Sequence, residues 1–331
     1  MNPLPLPTLR FRTFQGEIDY PVITSIINAC KDADGMEHST TLEDIRATYT
    51  HLFHCDPYRD MLFAEVDGND VGYAIVWWHV NSDGEWIGFT VGYVVPAYRR
   101  RGIGRNLLDF VETRLMEISN QLIETGQLSP SAPRYCLNVV AEKELAKESL
   151  LKHTGYQAIR FEYDMIRPDL EDIPDLPLPA GLEVRPVLPE HYRPIFDAAN
   201  EAFRDHWCYI VEPEESFQKM LVDSSFDPSL WRVAWDGDQI AGMVLSFINR
   251  AENEEFNRKR GYTENICVLR PWRKQGLAKT LIALSLKALK ERGMDHAALG
   301  VDAENISGAT HLYEKMGFRV VSRGTIYQKK F

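Results

Sequence analysis

The sequence predicts two α/β units in tandem, each a mixed sheet carrying helices. Three observations carry this reading. The chain has 331 residues, enough for two domains at roughly 150 residues each. Residues 167–181, RPDLEDIPDLPLPAG, hold four prolines and several acids between two apolar-patterned regions. Proline lacks an N–H and disfavours both helix and central strand, so this stretch reads as a semi-rigid linker between residues 1–166 and 182–331. Finally, the halves repeat each other. Residues 94–105, VVPAYRRRGIGR, resemble 268–279, VLRPWRKQGLAK, and 152–156, KHTGY, resemble 314–318, EKMGF. Gly102 and Gly276 are 174 residues apart, Gly155 and Gly317 162 apart, and a longer polar loop at 119–133 in the first half explains the difference.

Each element follows from local pattern. In the first half, 9–13 reads as a strand and 20–29 and 41–53 as helices. Thr41 opens the second helix, with Glu43 and Asp44 in its first turn. Strands at 59–66 and 71–79 meet at the hairpin signal Asp67-Gly68-Asn69. Then come strand 86–95, helix 104–118, strand 134–140, helix 142–153 and strand 157–165. The second half runs alike: strand 182–186, helices 192–203 and 214–221, and a hairpin of 231–234 with 240–248 across Asp236-Gly237-Asp238. Strand 262–269, helix 278–292, strand 296–301, helix 307–316 and strand 319–327 complete it. Strands and helices interleave in both halves, so each is an α/β unit built on one sheet.

Composition narrows the function. Hydrophobic residues at 44% and charged residues at 26% are ordinary for a globular chain. A net charge of −11 argues against a nucleic-acid partner, because tracking phosphates needs clustered excess cations. No apolar run approaches the ~20 residues of a membrane helix, and 1–12 carries no apolar signal core. Five scattered cysteines without a CxxC pair fit neither a disulfide framework nor a zinc site. The expectation is a reduced, cytoplasmic protein without a metal.

The repeated motif is strand, then Arg-x-x-Gly-x-Gly/Ala, then helix. Small residues let a ligand approach the backbone, and a helix N-terminus offers unpaired N–H groups and a positive dipole end. That is an anion seat, strengthened by Arg99, Arg100, Arg101 and Arg105 in one copy and Arg273, Lys274 and Lys279 in the other. The dinucleotide fingerprint does not fit, since its third small position is Leu107 or Leu281. A P-loop would need Gly-Lys-Ser/Thr, which neither copy has. The plain alternative is a Gly turn before an amphipathic helix. Two copies, each with an aromatic at the matching place (Tyr98, Trp272) and a nearby proline, weigh against it.

These residues resemble the signature of the GNAT superfamily of acyl-coenzyme A-dependent N-acetyltransferases, and the resemblance covers both halves. It implies two tandem GNAT-like domains, each a mixed, mostly antiparallel sheet flanked by helices, with acetyl-CoA as co-substrate. The implied pyrophosphate seats are Arg273, Lys274, Gln275, Gly276, Leu277, Ala278 and Lys279, and Arg99, Arg100, Arg101, Gly102, Ile103, Gly104 and Arg105. The preceding strands, at Val94, Val95 and through Cys267, Val268 and Leu269, would pair with the pantetheine amides. A free N–H near Cys267 or Val268 would polarise the thioester carbonyl.

A second motif separates the halves. Residues 301–318, VDAENISGATHLYEKMGF, look like the family's Asn…Ala…Leu-Tyr-x-x-x-Gly-Phe segment. Asn305 would bond the pantetheine; its other reading is a plain helix cap. Tyr313 lies about two helical turns on, and its phenol would protonate the departing thiolate; its other reading is a packed aromatic. The first half has Leu151 and Lys143 at those positions, so it would hold a coenzyme without transferring from it. Glu264, four residues before Val268, is the candidate base, or else a solvated strand residue; counting back from Val94 gives Thr90. The acceptor segment would be Phe203, Asp205, His206, Trp207 and Tyr209, with His206 a reserve base. Cys208 and Cys267 lack a His–carboxylate arrangement legible in sequence, and the family transfers directly. The expected function is acetyl transfer to a primary amine of a small molecule in the second half. The alternative is a non-catalytic acyl-CoA binding or sensing protein.

Overall fold

A computed structural model describes residues 8–305 and 308–331. The chain forms two compact units, Met1–Arg160 with Gly324–Phe331, and Phe161–Arg323. The sequence expectation divided it at the proline-rich stretch; the structure divides it between Arg160 and Phe161 and gives the last eight residues to the first unit.

The first unit contains β1 (Leu9–Arg12), α1 (Tyr20–Asp34), α2 (Leu42–Thr50), α3 (Pro57–Asp60), β2 (Met61–Val66), β3 (Asn69–Val80), β4 (Trp86–Val94), α4 (Ile103–Glu124), β5 (Arg134–Ala141), α5 (Leu145–His153) and the start of β6 (Gln157–Arg167). β1 through β4 pair antiparallel in order, and β4 joins β5 in parallel over Trp86–Phe89 and Arg134–Leu137 only. The far edge of β5 pairs antiparallel with Gly324–Lys330, the end of β12 (Arg319–Lys330). Ile103, Leu107, Leu108, Val111 and Leu115 recur at helical spacing on α4 and bury one face of the sheet, while α1 covers the other with Ile23, Ile26 and Ile27.

The second unit repeats the plan with β7 (Glu183–Val184), α6 (Tyr192–Phe203), α7 (Glu214–Val222), β8 (Arg232–Asp236), β9 (Gln239–Phe247), α8 (Arg250–Glu255), β10 (Arg260–Val268), α9 (Leu277–Glu291), β11 (His296–Asp302) and α10 (Ala309–Lys315). β7 to β10 are antiparallel, and β10 meets β11 in parallel over Arg260–Tyr262 and His296–Ala298 only. The Glu162–Arg167 part of β6 closes the sheet against β11. The sheets are therefore mixed and mostly antiparallel, as the family resemblance implies. Both parallel contacts end early, so the strands part and leave a wedge-shaped opening in each unit.

Three local expectations change. The helix α4 continues to Glu124, because Leu122 and Ile123 still pack on the core, so the loop begins later than 119. The short helices α3 and α8 carry no apolar period and start on the side-chain caps Asp56 and Asn249. Residues 167–181 pack onto the second unit rather than standing clear. Leu170 is buried in its core, Thr280 donates to the Pro177 carbonyl at 3.0 Å, and Asp175 and Glu171 pair with Lys287 and Lys290. Helix α10 is described from Ala309; Ser307, where the sequence started it, lies outside the described residues.

The last strand segment carries a stability prediction. Ile326 and Tyr327 are 5% and 2% exposed, Tyr327 donates to Glu148 at 2.8 Å, and Lys329 pairs with Glu112 at 2.8 Å. Burying two such side chains is worth about 3–6 kcal/mol, and their loss would also bare the β5 edge. Ending the chain at Arg323 should unfold the first unit below the wild-type melting temperature. A truncated chain with an unchanged melting curve would refute this strand assignment.

Candidate active site

The opening between β10 and β11 is shaped by a β-bulge. Glu264 faces Leu245 and Cys267 faces Met243, so Asn265 and Ile266 together occupy one place in the ladder. Asn265 takes a left-handed φ of 47° there. The Leu269 N–H is engaged by Ala241 at 3.0 Å, so strand alternation turns the N–H of Val268 to the open edge. Leu269 thus has no free donor, and neither does Val95, whose N–H bonds Val71 at 2.9 Å.

Glu264 spans the opening. Its Oε1 accepts the Gly300 N–H of β11 at 3.0 Å. Burial, with a contribution from Asp164, pushes its pKa up to about 7 despite that hydrogen bond. A carboxyl poised there exchanges protons near neutrality, the property a general base needs. Tyr313 is buried on α10, edge-on to Phe318 with ring centroids 6.2 Å apart. Its ring belongs to the buried core, while its hydroxyl makes no hydrogen bond among the described residues. Burial, then the Glu264 carboxylate and Cys267, push its pKa up, which keeps its proton in place at neutral pH. Burial raises the Cys267 thiol to about 12, which removes it as a nucleophile.

Both glycine loops share one backbone. Arg100 and Lys274 take φ of 62° and 63°, and Gly102 and Gly276 both 87°. α4 and α9 begin on Gly102 and Gly276 without any side-chain cap, leaving first-turn N–H groups for an anion. The side chains of Ile103 and Leu277 are 1% exposed and belong to the cores, so only their backbones face a ligand. Lys274 and Lys279 have no ion pair among the described residues. Gln275 instead donates to the Pro271 carbonyl at 3.2 Å, and Arg101 lies over the Tyr98 ring at 5.5 Å. Arg105 lies beside Asp109 at 2.8 Å.

The leading arginines do a different job from the one the motif suggests. Arg99 donates from Nε to the Val94 carbonyl at 2.8 Å and grips Asp34 with both terminal nitrogens at 2.6 and 2.7 Å. Arg273 donates to the Val268 carbonyl at 2.9 Å, to Asp205 at 2.7 Å and to the Ala202 carbonyl at 3.1 Å. Each arginine clamps the end of the strand to the region after the unit's first long helix, so its charge is already neutralised. Asp205 takes part in this clamp: Arg273 and Arg270 both pair with its carboxylate. Arg270 and Asp34 were missed; an acid at the close of both first helices was the available signal.

The remaining acceptor-segment residues diverge. Trp207 is 39% exposed, Tyr209 is buried, and His206 stacks edge-on against Phe203 at 4.6 Å. Asn305 is not the cap of α10, which starts on Gly308; its backbone closes turns with Asp302 at 3.2 Å and Gly308 at 3.1 Å.

The first unit shares the loop backbone but differs at the places of Tyr313 and Glu264. Leu151 and Tyr313 share one place, since their carbonyls accept from Tyr156 and Phe318 in the same helix-ending turn. Gly88 and Gly261 also correspond, each so near a helix leucine (Leu115, Leu289) that a Cβ would lie within 2.6 Å of it. From that register the counterpart of Glu264 is Val91, not Thr90. The strand β4 has no bulge, so counting back from Val94 slips by one residue. A cavity of about 900 Å³ opens beside Arg100, Gly102, Gly104, Arg105 and Val94.

Among the described residues no helix is long and apolar enough to cross a membrane, and no group of three or more His, Cys, Asp or Glu could hold a metal. An uncapped helix start, a parting pair of strands and the carboxyl and phenol of Glu264 and Tyr313 fit an acyltransferase fold. Residues 192–318 match the acetyltransferase (GNAT) family, and 57–157 match the acetyltransferase (GNAT) domain. The chain belongs to the GNAT acetyltransferase family. It is similar to the mycothiol acetyltransferases of Geodermatophilus obscurus, 27% identical with 89% of each chain covered, and Salinispora arenicola, 28% identical with 94% of each. Among solved structures it resembles a GCN5-related N-acetyltransferase from Sphaerobacter thermophilus, with TM-score 0.70, 24% identity and 97% and 95% of the two chains covered. A tandem GNAT protein from the clavulanic acid biosynthesis pathway gives TM-score 0.67 at 14% identity over 98% of both chains, a likeness of fold.

Proposed function

We propose that this protein transfers an acetyl group from acetyl-CoA directly to a primary amine of a small molecule, and that the second unit does the chemistry. The observation that carries this is Glu264, a carboxyl with pKa near 7 bridging the β10–β11 opening, near the Tyr313 hydroxyl, which makes no hydrogen bond among the described residues. Acetyl-CoA supplies the acyl group, activated as a thioester. The loop N–H groups at Gly276, Leu277 and Ala278, with Lys274 and Lys279, suit its pyrophosphate. Glu264 takes a proton from the acceptor's ammonium so that the free amine attacks the thioester carbon, the Val268 N–H stabilises the developing oxyanion, and Tyr313 gives a proton to the sulfur as the C–S bond breaks. The first unit holds coenzyme without transfer, because Val91 and Leu151 replace the base and the acid. Its cationic seat and 900 Å³ cavity favour a binding role there.

The test is thiol release from acetyl-CoA with a panel of amines that includes the acceptor of the mycothiol acetyltransferases. No release with any amine, from a folded chain that binds coenzyme, would turn the reading to the sensing alternative. Activity should rise with pH through about 7 as Glu264 ionises. Stability should move the other way. A carboxyl raised above its unfolded pKa stabilises the fold at low pH, and that contribution is lost as pH rises through 7. Glu264→Gln should therefore lose most activity and melt higher than wild type above pH 7. A variant melting lower there would place Glu264 in a structural role.

A further inference from the structure

The first unit's cavity is apolar along its walls and polar at its floor. Ala74, Leu107, Leu108, Val111 and Leu151 line its sides, and Arg100 and Arg105 stand by the loop. Val111 lies about 12 Å along α4 from the helix start, so the space runs well past the anion seat. At its floor are Thr90 and Asn138, 7% and 5% exposed. They are the first residues beyond the last parallel pair, Phe89 with Leu137, and so stand where β4 and β5 part.

Both are short of partners. The Thr90 hydroxyl makes no hydrogen bond among the described residues. Asn138 makes one weak contact, Nδ2 at 3.8 Å from the Cys136 sulfur, and its carbonyl oxygen makes none among the described residues. The second unit closes the same two places. Thr263, the counterpart of Thr90, donates to the Ala298 carbonyl at 3.4 Å, and Leu299 is packed in the core. The hydroxyl of Thr90 and the amide of Asn138 line the cavity and can donate to or accept from a polar ligand atom there.

We propose that Thr90 and Asn138 read the acyl end of a coenzyme thioester held in the first unit, the Asn138 amide donating to the thioester carbonyl. This rests on the reading of that unit as a coenzyme seat. Free CoA has a thiol in place of that carbonyl and leaves the amide N–H without its acceptor. With Leu151 and Val91 where the second unit has Tyr313 and Glu264, the acyl group is recognised and kept. The first unit then distinguishes acylated from spent coenzyme.

Titration calorimetry on the full chain carrying Gly276→Glu, which disables the second seat, reads the first seat alone. Acetyl-CoA should bind about 3- to 10-fold more tightly than CoA, the range of one neutral hydrogen bond. Asn138→Leu copies Leu299 and should bring that ratio close to one without lowering the melting temperature. Thr90→Val is the second variant and should weaken acetyl-CoA while leaving CoA unchanged. Equal binding of the two ligands by the parent, or a ratio preserved in both variants, overturns the proposal and leaves the seat intact. Binding of neither ligand by the folded parent overturns the seat itself, and the proposal with it.

Discussion

Tyr313→Phe is expected to lower kcat by about 10²-fold or more with little change in coenzyme affinity. General acid catalysis contributes roughly 10²–10⁴-fold, which sets the scale. The leaving thiol has an ordinary pKa near ~8.5 and departs partly unassisted, so the loss should fall at the low end. The structure makes this substitution unusually clean. The ring is 6% exposed and packs edge-on against Phe318, and phenylalanine keeps both contacts. The hydroxyl has no partner among the described residues, so its removal costs no internal hydrogen bond. The melting temperature should hold or rise while turnover collapses. Near-full activity on the true acceptor would make Tyr313 a packing residue and remove it from the mechanism.

The second large effect separates the units. Gly276→Glu should abolish turnover, while Gly102→Glu should leave much of it. Both glycines have φ of 87°, where any side chain costs about 1–2 kcal/mol of backbone strain. Neither has a neighbour close enough to clash with an added Cβ: nothing lies within 4 Å at Gly276, and only Asn106 at 3.9 Å for Gly102. The structural cost is therefore matched, and the difference in kcat/KM reports function. At Gly276 the new carboxylate sets like charge and bulk into the proposed pyrophosphate seat of the unit proposed to react. Comparable loss in both folded variants would contradict the division of labour.

The sequence by itself determined the tandem α/β plan, the paired glycine loops before α4 and α9 and the residue differences between the halves. Those features are local. The glycine, the preceding strand and the following apolar helix are contiguous, and the substitution of leucine for tyrosine at 151 is visible against one motif. Helix 192–203 was legible to the residue, because its apolar residues recur on one face at helical spacing. Tertiary structure decided what depends on pairing across distance. The bulge at Asn265 moved the counterpart of Glu264 from Thr90 to Val91, and no residue count reveals an extra place in a ladder. Arg99 and Arg273 became clamps because Asp34 and Asp205, more than sixty residues earlier in the chain, neutralise them in space. The last eight residues joined the first unit because a strand edge is satisfied by whichever segment reaches it, and backbone hydrogen bonds carry no sequence label. Burial did the rest. It raised the Glu264 carboxyl to about 7 and left Thr90 and Asn138 facing a cavity, and burial belongs to the packed fold alone.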